Sequence, residues 1–282
     1  MASIPGKIEP PELEVKVIRQ GDLDLRLLLC RSHRHLRVLD FRVGNYQEKR
    51  DILDKLAARE GLRKVFTLVE KSDGQSWRAV GFSKEGCIPG FFRTADGYFL
   101  TRMYEDGAPV LGGAPKPPTD RNVPEKRRFR KPDGAMVDIV RDPARLSQGG
   151  RGSITDYRIA PLGGTIFEPD IGVRVKMRKD ELWVVSEMDE SFGHARFDLH
   201  SPRRGPLEQA ALGYAISVLT AEIFPRGVTS LFAICAVGDA WAAEIYYSLG
   251  FRITARLADH LLLPEGFSHG QVFHKKSESR AG

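Results

Sequence analysis

The sequence predicts a mixed α/β protein in two halves, each built as a mostly antiparallel sheet with flanking helices. Two observations carry this prediction: short apolar strands alternate with amphipathic helical segments in both halves, and a proline-rich, basic stretch separates them. With 282 residues the chain is long enough for one large domain or two small ones. Its 41% hydrophobic and 28% charged residues exclude a fully disordered chain and a disulfide scaffold.

In the first half, strands are predicted at residues 15–18, 23–30, 36–41 and 64–69, and helices at about 45–61 and 73–80. In the second half, strands are predicted at 157–160, 172–177, 182–186, 195–200 and 229–235, and helices at about 208–224 and 239–249. In the strand 195–200, apolar and polar residues alternate. This period of two predicts that Asp198 and His200 lie on one polar face.

The stretch between the halves is predicted to be an exposed linker, because it offers few apolar groups that could order it. It contains Pro115, Pro117, Pro118, Pro124 and Pro132. It also contains the basic run 126–131, which supplies five of the positive charges behind the net charge of +6. The basic balance therefore describes the linker, and nucleic acid is not favoured as a partner. The expected domains are a tail 1–12, a first domain 13–108, a linker 109–152, a second domain 153–276 and a tail 277–282.

The two halves share a pattern that predicts an internal duplication. Each has strands, an amphipathic helix, a glycine, an apolar strand, a second helix and a Gly-Phe terminator. Gly61 and Gly227 precede the apolar strands, and Gly81 and Gly250 begin the terminators, at spacings of 20 and 23 residues. Order and spacing agree across four consecutive elements, so we favour duplication over coincidence.

The end of the last predicted helix resembles a family motif. Residues 245–251, Ile-Tyr-Tyr-Ser-Leu-Gly-Phe, resemble the Leu-Tyr-x-x-x-Gly-Phe ending of the GNAT N-acetyltransferase superfamily. The chain as a whole is most similar to the β-lysine N-acetyltransferases, whose N-terminal half resembles a truncated copy of the fold. Two segments, residues 52–66 and 80–92, resemble that N-terminal half. The second contains the run Gly-Phe-x-x-Glu-x-x-Ile-Pro-Gly-Phe at residues 81–91. The resemblance implies two GNAT-like halves.

The resemblance also implies a reaction, the direct transfer of an acyl group from acetyl-CoA to a small, amino-acid-like amine. Strands 195–200 and 229–235 would splay around the pantetheine arm of the cofactor. The implied catalytic residues are Tyr246, as the acid for the leaving thiolate, and Asp198 and His200, which would take a proton from the amine. The implied cofactor-binding residues are Leu199, Arg203, Arg204, Gln209, Ala210, Ala211 and Gly213. Each catalytic assignment has a structural alternative: a packed aromatic for Tyr246 and an ordinary solvated sheet face for the other two.

The sequence departs from the family at two places. The phosphate-binding turn should read Gln/Arg-x-x-Gly-x-Gly/Ala, whereas residues 209–214 place leucine and tyrosine at the small positions. The helices that normally form the acceptor wall are not visible between residues 154 and 182. The alternative function is therefore a catalytically degenerate pseudoenzyme that serves as a protein-binding or ligand-binding module.

The remaining expectations concern environment and partners. Three cysteines far apart in the sequence predict a reducing compartment and buried thiols, and no metal site is expected. No apolar run approaches the length of a membrane span, so we expect a cytoplasmic protein with no membrane partner. The expected partner is a small amine substrate or a protein, and a homodimer is one possible oligomeric state.

Overall fold

The fold is taken from a computed structural model that describes residues 12–39, 43–110, 126–149, 158–159 and 169–277. The elements of the first half are β1 (Leu13–Gln20), β2 (Leu23–Cys30), β3 (His35–Val38), α1 (Tyr46–Glu60), β4 (Lys64–Val69), α2 (Lys71–Ala79), β5 (Ser83–Ile88), β6 (Gly97–Glu105) and β7 (Ala108–Val110). The central stretch contributes β8 (Met136–Val140), α3 (Pro143–Gly149) and β9 (Arg158–Ile159). The second half comprises β10 (Ile171–Met177), β11 (Asp180–Asp189), β12 (His194–His200), α4 (Pro206–Ile223), β13 (Ser230–Ala236), α5 (Ala240–Ser248), β14 (Arg252–Leu263) and β15 (Gly266–Lys276), with a 3₁₀ turn (Phe224–Arg226) after α4.

All these strands belong to one sheet, and its order confirms the predicted two-part architecture. The order is β1-β2-β3-β4-β6-β5-β14-β15-β13-β12-β11-β10-β8, with β7 and β9 attached to β6 and β14. With the edge strand β8 left aside, the order β1-β2-β3-β4-β6-β5 from one end matches the order β10-β11-β12-β13-β15-β14 from the other. The one parallel pair in each half is also matched, β3 with β4 and β12 with β13. The strand order and the position of the parallel pair are thus repeated in the two halves, as an internal duplication predicts.

Each half has its own apolar core, formed by one face of its strands and by its two helices, α1 and α2 in the first half and α4 and α5 in the second. In the first half, Leu53, Leu56 and Ala57 of α1 pack with alternate residues of β2, β3 and β4. In the second half, α4 and α5 pack on β10 to β15, and this core also takes in Phe66 and Phe91 of the first half. The Gly-Phe terminators follow both short helices, and Gly81 and Gly250 adopt φ values of 92° and 85°, a conformation that favours glycine.

The two halves are joined edge to edge where β5 meets β14. The pairing there is a single one, Gly86 with Ala255. Gly86 has a φ of 147°, and a Cβ on it would overlap the backbone of Ala255 and the carbonyl of Thr254. A side chain at position 86 therefore has no room without separating the halves.

We expect Gly86→Ala to lower the free energy of unfolding by about 3 kcal/mol, since strain and overlap add. The matched control is Gly21→Ala, because Gly21 has a φ of 55° with nothing within 4 Å of an added Cβ. That control should cost about 1 kcal/mol, the strain alone. Urea unfolding of both variants measures the difference, and equal losses would contradict the close approach at the junction.

The expected linker contains regular structure in its described part, which corrects that expectation. β8 pairs with β10 at the sheet edge, and Leu146 of α3 is fully buried. The ring of Phe129, within the basic run, covers Gly213 of α4. These apolar residues find their partners in the second half of the chain, so local composition could not reveal the packing. Residues 111–125 and 150–157, with four of the five prolines, lie outside the described residues, and the domain boundaries stay a prediction.

Among the described residues, no helix combines the length and the apolar composition that crossing a membrane requires.

Candidate functional site

The parallel strands β12 and β13 diverge soon after they meet. They pair only at His194 with Ser230, Ala195 with Leu231 and Arg196 with Phe232. Beyond these positions both strands continue, β12 paired with β11 on its other side and β13 paired with β15. Residues 197–200 and 233–236 therefore border a wedge in the sheet, each with one edge that does not pair across it.

The two faces of β12 differ as the alternation predicts. Ala195, Phe197 and Leu199 are buried in the core beneath α4 and α5. Successive side chains of a strand point to opposite faces, so Asp198 and His200 lie together on the face away from those helices. The wedge thus has a helix side and a polar side.

On the polar side, Arg196, Asp198 and His200 form a small polar group. The Arg196 Nη2 donates to Asp198 Oδ2 at 3.0 Å, which orients the carboxylate. Burial lowers the pKa of His200, and the nearby Asp198 partly opposes this effect. Its Nδ1 has no hydrogen-bond partner within the described part of the chain. A neutral imidazole with an unused nitrogen can accept a proton from an amine that reaches it.

A wall beside this group comes from the central stretch of the chain. In the register of β11 and β12, Trp183 lies opposite His200 and Val185 lies opposite Asp198. Leu146 of α3 packs with both Trp183 and Val185. The sheet allows this approach because a Cβ on Gly172 would lie only 2.7 Å from Leu146 Cδ2. The helix α3, which precedes residues 154–182, thus packs against the sheet beside Asp198 and His200.

The first half of the chain also reaches the polar side. Arg37 of β3 is buried, and its pKa is lowered to about 10, mainly by burial. Glu187, opposite Arg196 in the register, acts against this lowering, and the like charge of Arg196 adds to it. Arg37 in the first half therefore interacts electrostatically with Glu187 and Arg196 in the second half. Sequence reasoning missed Arg37, Glu187 and Trp183, because β3 and β11 are far apart in the sequence.

At the start of α4, the arginines expected to hold phosphate are paired with carboxylates. Arg203 forms ion pairs with Asp180 and Glu208, and Arg204 Nη1 donates to Asp239 Oδ1 at 3.2 Å. The carboxylate of Glu208 lies so close to Gly205 that a Cβ there would overlap it. A protein carboxylate therefore occupies the position where the helix N-terminus would favour a bound anion.

The other expected cofactor residues hold α4 in place. Gln209 Nε2 donates to Trp241 O and to Glu244 Oε2, both at 3.2 Å, and so ties α4 to α5. Ala211 and Leu199 are buried in the core, and Ala210 is half-buried. Gly213 accommodates the ring of Phe129, so its lack of a side chain has a packing explanation.

Tyr246 lies in an aromatic cluster on the helix side of the wedge. It is 3% exposed, and its ring centroid is 5.7 Å from that of Phe197, the first residue past the strand pairing. The rings of Phe273 and Phe251 lie 4.9 and 5.9 Å away. The structure therefore places Tyr246 beside the wedge and gives it an evident packing role; its catalytic role stays a prediction.

Cys235 is fully buried in β13, and burial raises the pKa of its thiol. A thiolate nucleophile at this position is therefore disfavoured, as its apolar strand predicted. Within the described ranges, no group of three or more His, Cys, Asp or Glu side chains is arranged to hold a metal ion.

No protein-family model matches the chain, and no curated protein matches it. Several solved structures do. The ribosomal-protein-S18-alanine N-acetyltransferase of Escherichia coli matches with a TM-score of 0.39 and 13% identity, over 50% of this chain and 94% of that one. A probable acetyltransferase of the GNAT family from Chromobacterium violaceum matches with a TM-score of 0.37 and 16% identity, over 52% and 89%. The microcin C7 self-immunity acetyltransferase MccE, in complex with acetyl-CoA and AMP, matches with a TM-score of 0.33 and 14% identity, over 37% and 59%.

Proposed function

We propose that the protein is a GNAT-type, acyl-CoA-dependent N-acyltransferase that acts on a small amine. The observation that carries this proposal is the divergence of β12 and β13 after only three paired positions. Backbone N–H and C=O groups along a diverging strand are open to pair with an extended ligand such as a pantetheine arm. Asp198 and His200 lie on the polar side of the same strand, where an acceptor amine would approach.

The wedge between β12 and β13 and the N-terminus of α4 are suited to bind an acyl-CoA, with one exception. The wedge suits the extended arm, and Arg203 and Arg204 are partly exposed cations beside the N-terminus of α4, which favours phosphate. The exception is Glu208, whose carboxylate must move away from Gly205 before a phosphate can come close. When bound, the cofactor would supply the activated acyl group.

The groups on the polar side would bind and deprotonate the acceptor amine. His200 is held neutral by burial and can take the proton at Nδ1, while Arg196 orients the carboxylate of Asp198. Trp183 and Leu146 form an apolar wall that excludes water on one side of these groups. Positioning and proton removal are the main contributions that acyl transfer to an amine requires of a protein.

The second candidate is a degenerate GNAT-fold module that binds a protein or a small ligand without catalysis. It is favoured by the carboxylate of Glu208 at the expected phosphate position and by Phe129 over Gly213. In this case the polar side of the wedge, with Asp198 and His200, would be the binding surface.

A titration of acetyl-CoA into the parent and into Glu208→Gln separates the candidates. If the protein is an enzyme, we expect sub-millimolar binding to the parent and about tenfold tighter binding to the variant, since a like charge beside the phosphates is removed. Calorimetry measures the affinity, and release of the coenzyme A thiol with a panel of small amines measures transfer.

The matched control is Glu222→Gln on the same helix, whose carboxylate pairs with Arg141 at 2.8 Å. It should bind acetyl-CoA like the parent. No binding to either the parent or Glu208→Gln at millimolar ligand would rule out the enzyme and leave the binding module.

A further inference from the structure

A cysteine and a histidine are in hydrogen-bond contact at the turn between β2 and β3, which the proposed acyl transfer does not use. Cys30 ends β2, and its Sγ lies 3.2 Å from the Nδ1 of His33, three residues later. Both residues are buried, with 4% and 3% of their surface exposed. A thiol beside an imidazole is the arrangement that activates a sulfur nucleophile, because the ring can take the thiol proton.

Two further side chains orient the ring of His33. Ser32 Oγ lies 3.1 Å from His33 Nδ1, and it donates its own proton to Glu12 Oε1 at 2.7 Å. Because that proton is used on the carboxylate, Ser32 Oγ can only accept from the ring. Nδ1 therefore carries a proton in the arrangement that makes every contact a hydrogen bond. Cys30 Sγ is then a second acceptor of the same N–H, a position that suits a thiolate better than a neutral thiol.

The other imidazoles nearby compete poorly for the thiol proton. The ring centroid of His35 lies 5.7 Å from that of His33 and 5.7 Å from that of His260. Mainly because of burial, the pKa values of His35 and His260 are both lowered well below the ordinary value. His33 differs from them because the hydroxyl of Ser32 links it to the carboxylate of Glu12, which favours the charged ring.

The equivalent turn of the second half, between β11 and β12, folds without a thiol or an imidazole at these positions. Counted back from the paired residues at the starts of β3 and β12, Asp189 takes the place of Cys30 and Phe192 takes the place of His33. Asp189 Oδ1 accepts from the backbone N–H of Phe192 at 3.0 Å, and so closes that turn. A turn at this place in the fold therefore does not require the pair.

We propose that Cys30 and His33 form a peroxide-reactive site, at which the thiolate is oxidised to a sulfenic acid by hydrogen peroxide. The sulfur attacks one oxygen of the peroxide, so that an S–O bond forms and the O–O bond breaks. The sulfur loses two electrons and the peroxide gains them. The departing hydroxide takes the proton of the His33 imidazolium and leaves as water. The site is independent of the proposed acyl transfer.

The other two cysteines provide an internal reference for this site. Cys87 is more exposed than Cys30, and burial raises the pKa of its thiol. Cys235 is fully buried in β13, and burial raises the pKa of its thiol as well. Reactivity set by exposure alone would make Cys87 the fastest of the three, whereas activation by the imidazole makes Cys30 the fastest. The peroxide is neutral and little larger than water, so it suits a thiol with little exposed surface.

Oxidation of the full chain with hydrogen peroxide at pH 7.0 tests the site. Catalase stops the reaction, the protein is unfolded in urea with N-ethylmaleimide, and peptide mass spectrometry locates the thiols that remain. An ordinary thiol with a pKa of about 8.5 is about 3% thiolate at this pH. Full ionisation therefore gives about 30-fold more thiolate, of which the lower nucleophilicity removes about threefold. We expect Cys30 to be oxidised about tenfold faster than Cys87.

His33→Phe copies Phe192 of the equivalent turn and should slow the oxidation of Cys30 about tenfold. His33→Gln is the second variant, for the case that phenylalanine packs badly, and an unchanged rate at Cys87 reports that the fold is kept. His269→Gln is the control, since that histidine is exposed; it should leave the rate at Cys30 unchanged. If Cys30 is oxidised no faster than Cys87, or if both His33 variants keep or exceed the rate of the parent, the imidazole does not activate the thiol.

Discussion

At pH 5.5 we expect the protein to be less stable than at pH 7.5 by about 4 kcal/mol or more, a large part of the stability of an ordinary domain. Five histidines have lowered pKa values in the folded protein, each mainly because burial disfavours the charged ring: His35, His194, His200, His260 and His274. For His274 the lowering reaches about 4. Each of these rings therefore binds a proton less readily in the folded protein than in the unfolded chain, where a histidine titrates near 6.5.

The direction of the effect follows from proton binding. The unfolded chain binds more protons than the folded one below pH 6.5, so stability is full above that value and falls as the pH drops toward the folded pKa values. One unit below 6.5, a ring that stays neutral in the folded protein costs about 1.4 kcal/mol, so His35, His260 and His274 together cost about 4 kcal/mol. His194 and His200 add to the loss in the same direction. Typical domains have a total stability of 5–15 kcal/mol.

Urea unfolding at pH 7.5, 6.5 and 5.5 measures this loss. His274→Gln should remove about one proton from the uptake on unfolding, because its pKa is lowered to about 4. Equal stability at pH 7.5 and 5.5 would show that these rings are not held neutral.

Glu85→Gln should lower the free energy of unfolding by about 3–5 kcal/mol, because it leaves a buried ammonium without its counter-charge. Lys64 and Glu85 have side chains that are 0% and 1% exposed, with Nζ and Oε2 2.8 Å apart. Burial lowers the pKa of Lys64, and Glu85 opposes this effect. The pair also holds the halves together, since Lys64 donates to Ala258 O and Glu85 Oε1 accepts from Ala258 N at 2.9 Å.

A double-mutant cycle separates the attraction between Lys64 and Glu85 from the cost of burying each charge. Lys64→Met with Glu85→Leu removes both charges and should be much closer to the parent than either single variant. Glu190→Gln is the control, because Glu190 and Arg226 form an exposed pair with side chains 56% and 41% accessible. It should cost at most about 1 kcal/mol in urea unfolding. If Glu85→Gln cost no more than Glu190→Gln, the pair would not stabilise the junction.

Local patterns were sufficient for the long helices and for the repetition of the halves, but they did not predict the strands β5, β6, β14 and β15. The alternation in 195–200 predicted which side chains of β12 share a face, because a strand has a period of two whatever surrounds it. The glycines before and after the repeated helices marked element ends, because a helix commonly ends at a residue with positive φ. Both signals depend only on neighbours in the chain.

Local patterns failed for the central stretch and for the phosphate turn. Residues 126–149 look like a solvated linker, but Phe129 and Leu146 bury themselves against Gly213 and Gly172. Arg203 and Arg204 look like phosphate ligands, but Asp180 and Asp239 reach them from other elements. In each case the deciding partner is distant in sequence, so no window of residues could contain it.

By itself, the sequence determined a duplicated α/β chain and the polar face of β12, because periodicity and glycine positions are properties of short segments. Only the tertiary structure decided that the halves join through Gly86, that α3 supplies a wall, that Arg37 reaches the polar side and that His260 meets His35. These features depend on which distant segments pack together and on which charged groups burial places near one another. Burial changes the energy of a charged group far more than its sequence neighbours do.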